Sequence, residues 1–204
     1  MNPDQTDFEP IAAKGVGEGV FSLPELFYLT HQELIEEWAK LKRTATSAQD
    51  GWLREHVAPV IADIAEQRGL DHAFVVDGRW QSSLLVVPGT PFRGERPVLG
   101  IGLGWSAADL DPPFVCVAVD VGSELGTVAR EATLSNGGRE VRATARFKHE
   151  QTWPAWRYVK LPAHWWNDLD ATLELLCDEV TATFDLFEQP LRAGVEAARA
   201  AAPP

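Results

Sequence analysis

The sequence Pro97-Val-Leu-Gly-Ile-Gly-Leu-Gly-Trp105 organises the middle of the chain. Glycine occupies positions 100, 102 and 104, and large apolar side chains occupy the positions between them. Because side chains alternate between the two sides of a strand, this pattern predicts a β-strand with one apolar face and one bare face. Glycine in a strand interior is typical of places where another group approaches the backbone closely. We therefore expect Gly100, Gly102 and Gly104 to be covered by a ring or backbone of the protein itself or, alternatively, by a ligand or a partner's backbone.

Strand patterns lie on both sides of this segment. Residues 73–87 read as two strands joined by a tight turn at Asp77-Gly78, a typical two-residue hairpin signal. Residues 114–121 are almost wholly apolar and predict a central strand that is buried on both faces, with Asp120 as the polar exception. Residues 156–161 predict a further short strand, which Pro162 ends.

The segment between residues 126 and 147 fits two interpretations. Asn136-Gly137 favours a hairpin whose second strand, residues 141–147, alternates apolar side chains with a wet, basic face. The spacing of apolar residues over 125–132 also fits a helix. The hairpin is the favoured prediction, and it places Arg142, Arg146 and Lys148 together on one exposed strand face.

Helical patterns dominate the first third of the chain. Ser22-Leu-Pro-Glu25 has the spacing of a capping box and predicts a short helix from about residue 23. A second helix is expected to run through Leu41, and a polar loop to follow over residues 44–51. Helical spacing resumes at residue 53, with a kink or restart at Pro59 and a left-handed C-cap at Gly69.

The clearest amphipathic helix is the last one. Asn167 is the predicted N-cap, with acidic residues in the first turn where the helix dipole favours them. Its apolar positions step by three and four: Trp166, Leu169, Leu173, Leu176, Val180, Phe184 and Phe187. Pro190 is expected to bend or end this helix, and the Ala-rich tail to continue as a second one.

Helices first, strands in the middle and a long helix last predict an α+β fold. We expect a single, mainly antiparallel sheet of five or six strands, with the N-terminal helices and the long C-terminal helix packed on it. The predicted organisation is a flexible arm over residues 1–20, one α+β domain over 21–195 and a fraying Ala/Pro tail over 196–204.

Composition excludes several classes of protein. The 204 residues carry a net charge of −12, which argues against charge-driven binding to nucleic acid in general. No apolar run approaches the roughly 18 residues of a membrane span, and the acidic, polar N-terminus does not resemble a signal peptide. Cys116 and Cys177 lie in separate apolar segments, so we expect reduced, buried thiols in a cytoplasmic protein.

Catalytic motifs are missing or incomplete. The glycines at 100, 102 and 104 do not open a helix as a dinucleotide fingerprint does, and the sequence lacks a P-loop. Gly104-Trp-Ser106-Ala-Ala lacks the last glycine of a nucleophile elbow. The five histidines are scattered and no Cys-x-x-Cys occurs, so neither a zinc site nor another cofactor is expected.

Two acids that follow or end strands allow an alternative, nuclease-like hypothesis. Asp77 and Asp120 would hold a divalent metal ion beside a scissile phosphate, as in nucleic-acid-processing enzymes. Such sites also need an acid-x-Lys pair on the neighbouring strand, and the sequence has none. The turn position of Asp77 and the strand-end position of Asp120 explain both residues without a metal.

A basic, aromatic stretch is the feature that points outward. Residues 130–160 contain seven Lys or Arg and three Glu, a local excess of four positive charges in an acidic chain. The candidate partner-binding residues are Arg142, Arg146, Lys148, Trp153, Trp156, Arg157 and Tyr158. Cations beside flat rings suit an acidic protein surface or a single-stranded nucleic acid, although exposed strand faces are also commonly charged. The sequence thus favours a non-catalytic binding or regulatory protein that docks an anionic partner.

Overall fold

The computed structural model describes residues Ser22–Pro203. The flexible arm predicted for residues 1–20 lies outside the described residues. The chain divides into two units, Met1–Leu41 and Lys42–Pro204. The first is described from Ser22 onward.

Helices and strands follow one another much as the overall pattern predicts. The helices are α1 (Leu23–Thr30), α2 (Gln32–Trp52), α3 (Ala58–Gln67), α4 (Glu124–Thr133), α5 (Arg139–Thr144) and α6 (Leu169–Ala201). The strands are β1 (Asp71–Asp77), β2 (Trp80–Val86), β3 (Phe92–Arg93), β4 (Arg96–Pro97), β5 (Leu99–Ser106), β6 (Phe114–Val119) and β7 (Ala155–Tyr158). Short π-helical turns, Leu53–Val57 and Leu134–Gly138, precede α3 and α5, and a 3₁₀ turn, Trp165–Asn167, precedes α6.

One five-stranded sheet forms the centre of the fold. Its strand order is β1-β2-β5-β6-β7, and every neighbouring pair is antiparallel. The strands β3 and β4 form a separate small hairpin. The predicted α+β class, with one mainly antiparallel sheet and a long C-terminal helix, is confirmed.

The two faces of the sheet have different surroundings. On the first, the helix-packed face, Leu99, Ile101 and Leu103 are fully buried in the main core together with apolar side chains of α3 and α6. On the opposite face, called here the second face, a smaller cluster of Ala73, Leu84 and Val86 contains no buried helical residue from the described chain. The glycines of β5 lie on this second face.

At the glycines of β5, other atoms of the protein occupy the space that a side chain would need. A Cβ atom at Gly102 would overlap the carbonyl oxygen of Ser83 on β2. At Gly104 it would lie 2.5 Å from Cζ of Phe114, and at Gly100 it would lie 3.3 Å from the side chain of Leu84. Glycine is therefore required most strictly at position 102, where backbone rather than side chain occupies the space.

The unit that ends at Leu41 consists, where it is described, of α1 and the start of α2. Glu25 accepts a hydrogen bond from the Ser22 N–H, in agreement with the predicted capping box. None of the described side chains of this unit is buried. Eight large apolar side chains are 37–74% exposed: Leu23, Leu26, Phe27, Tyr28, Leu29, Leu34, Trp38 and Leu41.

The prediction of a polar loop over residues 44–51 is wrong, because α2 continues to Trp52. Ala45, Ala48 and Trp52 continue the three-and-four spacing of a helix through the polar residues. Gly51 lies inside this helix, and no neighbour requires a glycine there, since a Cβ atom would meet nothing within 4 Å.

The prediction of a β-hairpin between residues 126 and 147 is also wrong. This segment forms α4, a π-helical turn and α5, so Arg142 lies on a helix and Arg146 follows it with a positive φ of 57°. Gly137, with φ of 99°, breaks the helix between α4 and α5 instead of turning a hairpin. Val141 and Ala145, four residues apart, pack against the main core as a helix face does.

The ends of α3 and α6 test the remaining helix predictions. Gly69 has φ of 65°, and the Leu70 N–H donates to the Ala65 carbonyl at 2.8 Å, so the left-handed C-cap is confirmed. The N-cap of α6 is Asp168, which accepts from the Ala171 N–H at 3.0 Å, rather than Asn167. Pro190 lies buried inside α6 and does not end it.

Candidate binding surface

Five aromatic side chains meet at one end of the second face. We call this group the aromatic surface: Trp80, Phe114, Trp153, Trp156 and Tyr158. The buried ring of Phe114 contacts the other four, with centroid distances from 4.9 to 6.4 Å. The contacts are edge-to-face, the geometry that aromatic quadrupoles favour. The rings around Phe114 are half-buried, and Tyr158 is 39% exposed.

Sheet register explains why these rings meet. Phe114 pairs with Tyr158, and Cys116 pairs with Trp156, across the β6–β7 ladder. Side chains of directly paired residues lie on the same face, so both β7 aromatics project beside Phe114. Trp156 and Tyr158 therefore share one face of β7.

Two cations lie against these rings. The Lys148 Nζ is 4.9 Å from the ring centroid of Trp156 and 5.4 Å from that of Tyr158. Its backbone is fixed by two hydrogen bonds with Trp156, at 2.8 and 3.0 Å. Arg79 lies 4.9 Å over Trp80 and also pairs with Asp109 at 3.1 Å. The Lys148 side chain is exposed, so its charge is held at the surface of the cluster.

The structure separates the other predicted cations from this surface. Arg157 alternates with the two β7 aromatics, so it lies on the helix-packed side, where it bonds Glu179 at 2.7 Å and stacks 4.8 Å from the ring of Phe147. Arg142, on α5, donates to the Pro154 carbonyl at 3.5 Å. Arg146 is exposed. The candidates that the structure brings together are therefore Lys148, Trp153, Trp156 and Tyr158.

Sequence reasoning missed Trp80 and Phe114. Trp80 begins β2 directly after the turn. It lies two residues before Ser82, and residues two apart in a strand lie on the same face, so the alternation places Trp80 on the second face. Phe114 opens the apolar run of β6. What the sequence does not contain is the strand order that makes the β2, β6 and β7 ends neighbours.

The electrostatics of the aromatic surface are mixed. Partial burial raises the pKa of the Tyr158 hydroxyl, and the negative charges of Asp111 and Glu150 raise it further. The hydroxyl therefore stays protonated and can donate a hydrogen bond at neutral pH. The indole N–H of Trp156 is buried and has no acceptor among the described residues.

The two acids of the nuclease-like alternative line one small pocket on the second face, together with Trp80 and Trp153. Arg93 of the β3–β4 hairpin binds Asp120 through two hydrogen bonds, at 2.7 and 2.8 Å. Arg96 reaches Asp77 at 3.4 Å. Both carboxylates thus face arginines, and over residues 22–203 no three His, Cys, Asp or Glu side chains are grouped so that they could hold a metal ion.

Asp120 is the more strongly held of these acids. Burial alone would raise its pKa, but hydrogen bonds from Arg93, the Gly122 N–H and Ser123, with the Arg93 charge, together hold the pKa below its ordinary value. Its side chain is only 1% exposed. The pair fixes the β3–β4 hairpin to the end of β6.

A separate apolar groove lies within the second unit. It has a volume of about 440 Å³. Its lining residues are Ala45, Ala48, Gln49, Trp52, Leu110, Trp165, Trp166 and Leu169. None of these lining side chains is charged, and the amide of Gln49 already donates to the Asp111 carbonyl at 3.2 Å.

The two cysteines are free and buried. Burial raises the pKa of Cys116 to about 12 and that of Cys177 to about 11. Both thiols are therefore protonated at neutral pH and poor nucleophiles.

Comparison with protein-family models, with curated proteins and with solved structures found no match for the chain. Within the described residues, no helix has the length and apolar character needed to cross a membrane.

Proposed function

We propose that this protein is a non-catalytic binding protein whose anionic partner docks on the aromatic surface beside Lys148. One observation carries the proposal: an exposed ammonium group is held over two half-exposed rings at one end of the second face. Aromatic side chains provide large, rigid contact area at low entropic cost, and they are enriched where proteins meet.

The charge at Lys148 selects the kind of group that can bind. An exposed cation attracts a carboxylate or a phosphate, and the adjacent rings contribute apolar contact around the ion pair. The protonated Tyr158 hydroxyl offers a second donor to the same group. A short segment with one or two acidic groups and an apolar neighbour fits this arrangement.

An acidic protein segment fits better than a single-stranded nucleic acid. A nucleic acid places a phosphate at every nucleotide, and its affinity comes largely from many cations. Here Asp111 and Glu150 lie near Tyr158, and Arg157 is already bonded to Glu179. Together with the net charge of −12, these acids disfavour a run of phosphates more than a single carboxylate.

The experiment measures the binding of two fluorescent probes to the folded chain. The first is a glutamate-rich peptide that contains large aromatic residues, and the second is an oligothymidine. We expect salt-dependent binding of the peptide. Lys148→Glu should weaken it about tenfold or more, which corresponds to about 1.4 kcal/mol. Tyr158→Ala should also weaken it, by loss of ring contact and of the donor.

Lys160→Glu is the matched control, because Lys160 is also exposed, lies in the same stretch of sequence and is not part of the aromatic surface. Equal losses from Lys148→Glu and Lys160→Glu would show a general charge effect and contradict the proposed site. Binding of the oligothymidine with no binding of the peptide would replace the acidic segment by a nucleic acid. Binding of neither probe would contradict the proposal.

A further inference from the structure

The first half of α2 carries an exposed row of apolar side chains, and this row is separate from the aromatic surface. Leu34, Trp38 and Leu41 are 44%, 61% and 59% exposed. Their spacing of four and three residues places them along one side of the helix, as in the seam of a coiled coil. Monomeric proteins rarely leave contiguous apolar patches of this kind in water. This row is therefore a surface that a partner would cover.

The charges along α2 are separated by sign on either side of Trp38. Glu33, Glu36 and Glu37 precede it, and Lys40, Lys42 and Arg43 follow it. All six residues are exposed. With 3.6 residues per turn, Glu37 and Lys42 border the row, whereas Glu36 and Arg43 lie on the opposite side of the helix. The two halves of this segment thus carry three charges each, of opposite sign.

The charges of such a segment are complementary to those of a second copy when the two helices run antiparallel. An antiparallel second copy places the acidic half of each helix beside the basic half of the other. A parallel copy places acids beside acids and bases beside bases, which is unfavourable. A two-fold axis through the middle of the row generates the antiparallel pair from a single patch, as in most homodimers.

We propose that a second copy of this chain docks antiparallel on this face of α2, and that it buries Leu34, Trp38 and Leu41 of both copies. The occupant is identified by charge: the same helix supplies both the acidic half and the basic half that the interface requires. The apolar row supplies the affinity, and the separated charges determine the direction of pairing.

The first test compares the self-association of the full chain and of Trp38→Ala by sedimentation equilibrium. The wild type should be a concentration-dependent dimer. Trp38→Ala should weaken the dimer about 30-fold or more, because a central tryptophan typically contributes about 2 kcal/mol or more at an interface. Since Trp38 is exposed in the single chain, the far-ultraviolet circular dichroism of the variant, which reports its helix content, should be unchanged. Leu186→Ala is the control, because Leu186 is a similarly exposed apolar residue on α6.

The second test examines whether these charges hold the pair together. The first variant, Glu33→Lys with Glu36→Lys and Glu37→Lys, makes both halves of the segment basic. The second, Lys40→Glu with Lys42→Glu and Arg43→Glu, makes both halves acidic. Each variant alone should repel itself and be monomeric. An equimolar mixture of the two should form a heterodimer, and added salt should weaken it.

Several results would overturn the proposal. A wild type that stays monomeric at every concentration tested would show that something else, such as a different protein, covers the row. A wild-type dimer that Trp38→Ala does not weaken would place the interface elsewhere. Folded charge variants that remain monomeric when mixed, or that still dimerise alone, would exclude a pair held by these charges. A variant that carries all six reversals should pair with itself and not with the wild type in the antiparallel arrangement. Mixed dimers of that variant with the wild type would show parallel pairing instead.

Discussion

The two faces of the sheet are built from the same strands but carry side chains of different size. On β5, Leu99, Ile101 and Leu103 face the helices and are fully inaccessible, whereas Gly100 and Gly102 between them face the other way. One face thus buries large side chains, and the other brings strands and rings into close contact.

This difference separates stability from recognition. Apolar area removed from water contributes about 25 cal/mol per Å², so the helix-packed face, with its branched side chains and α6, supplies most of the folding free energy. The second face contributes less area, but it presents half-exposed rings and an ammonium group at its end. Substitutions on the two faces should therefore differ in both size and mechanism.

The largest effect is expected on the helix-packed face, at α6. Leu176 is fully buried in the main core, so Leu176→Ala should lower the free energy of unfolding by about 2–5 kcal/mol, through lost burial and the cavity left behind. Chemical denaturation followed by tryptophan fluorescence measures the change. Leu186→Ala on the same helix, where the side chain is 46% exposed, should change it by no more than about 0.5 kcal/mol. Similar losses in both variants would contradict the assignment of the core to this face of α6.

A smaller effect, with a different cause, is expected on the second face. Gly102→Ala should lower the free energy of unfolding by about 1–3 kcal/mol, because its methyl group would overlap the Ser83 carbonyl and push β2 away from β5. Gly51→Ala is the matched substitution. A methyl group there meets no atom within 4 Å, so the higher helix propensity of alanine should stabilise α2 by about 0.5–1 kcal/mol. Melting temperatures that shift in the same direction for both variants would contradict this reading of the β5 glycines.

Much of the sheet could be predicted from local patterns. The glycine alternation of β5 indicates its faces, and Asp77-Gly78 marks the hairpin that joins β1 and β2. In the structure Asp77 pairs with Trp80, so the two turn residues are Gly78 and Arg79. Such features depend on one or two neighbouring residues, and local sequence contains that information.

Residues 139–147 show where local patterns fail. The alternation of Val141, Ala143 and Ala145 with polar residues imitates a strand, yet the chain is helical to Thr144. Its conformation follows from contacts with the distant core, where Val141 and Ala145 pack. Helix and strand preferences are weak here, so tertiary packing determines the outcome.

The aromatic surface was predictable only in part. Trp156 and Tyr158 share a face by simple alternation, and the cationic neighbour Lys148 is close in sequence. Their meeting with Trp80 and Phe114 depends on the strand order, which brings together residues far apart in the chain. Sequence proximity also groups Arg142 and Arg157 with this surface, but it does not show which way a side chain points.

The last and smallest expected effect concerns the ion pair that fixes the β3–β4 hairpin at the second face. In Arg93→Ala the buried Asp120 carboxylate loses two hydrogen bonds and keeps that of the Gly122 N–H. Because Arg93 itself is 57% exposed and water can partly replace it, we expect a loss of only about 1 kcal/mol at neutral pH. Arg96→Ala should cost less, since Asp77 is 58% exposed.

Acid titration distinguishes this mechanism from a simple loss of packing. The pKa of Asp120 in the folded protein lies below its ordinary value of 3.8, so its ionised form stabilises the fold above that pH. This stabilisation is lost as the pH falls below about 3.8 and through the lower folded pKa. The difference in unfolding free energy between the wild type and Arg93→Ala should therefore shrink as the pH is lowered through this range. A difference that stays constant with pH would mean that Arg93 stabilises the hairpin by contact alone, and that the buried carboxylate contributes nothing through its charge.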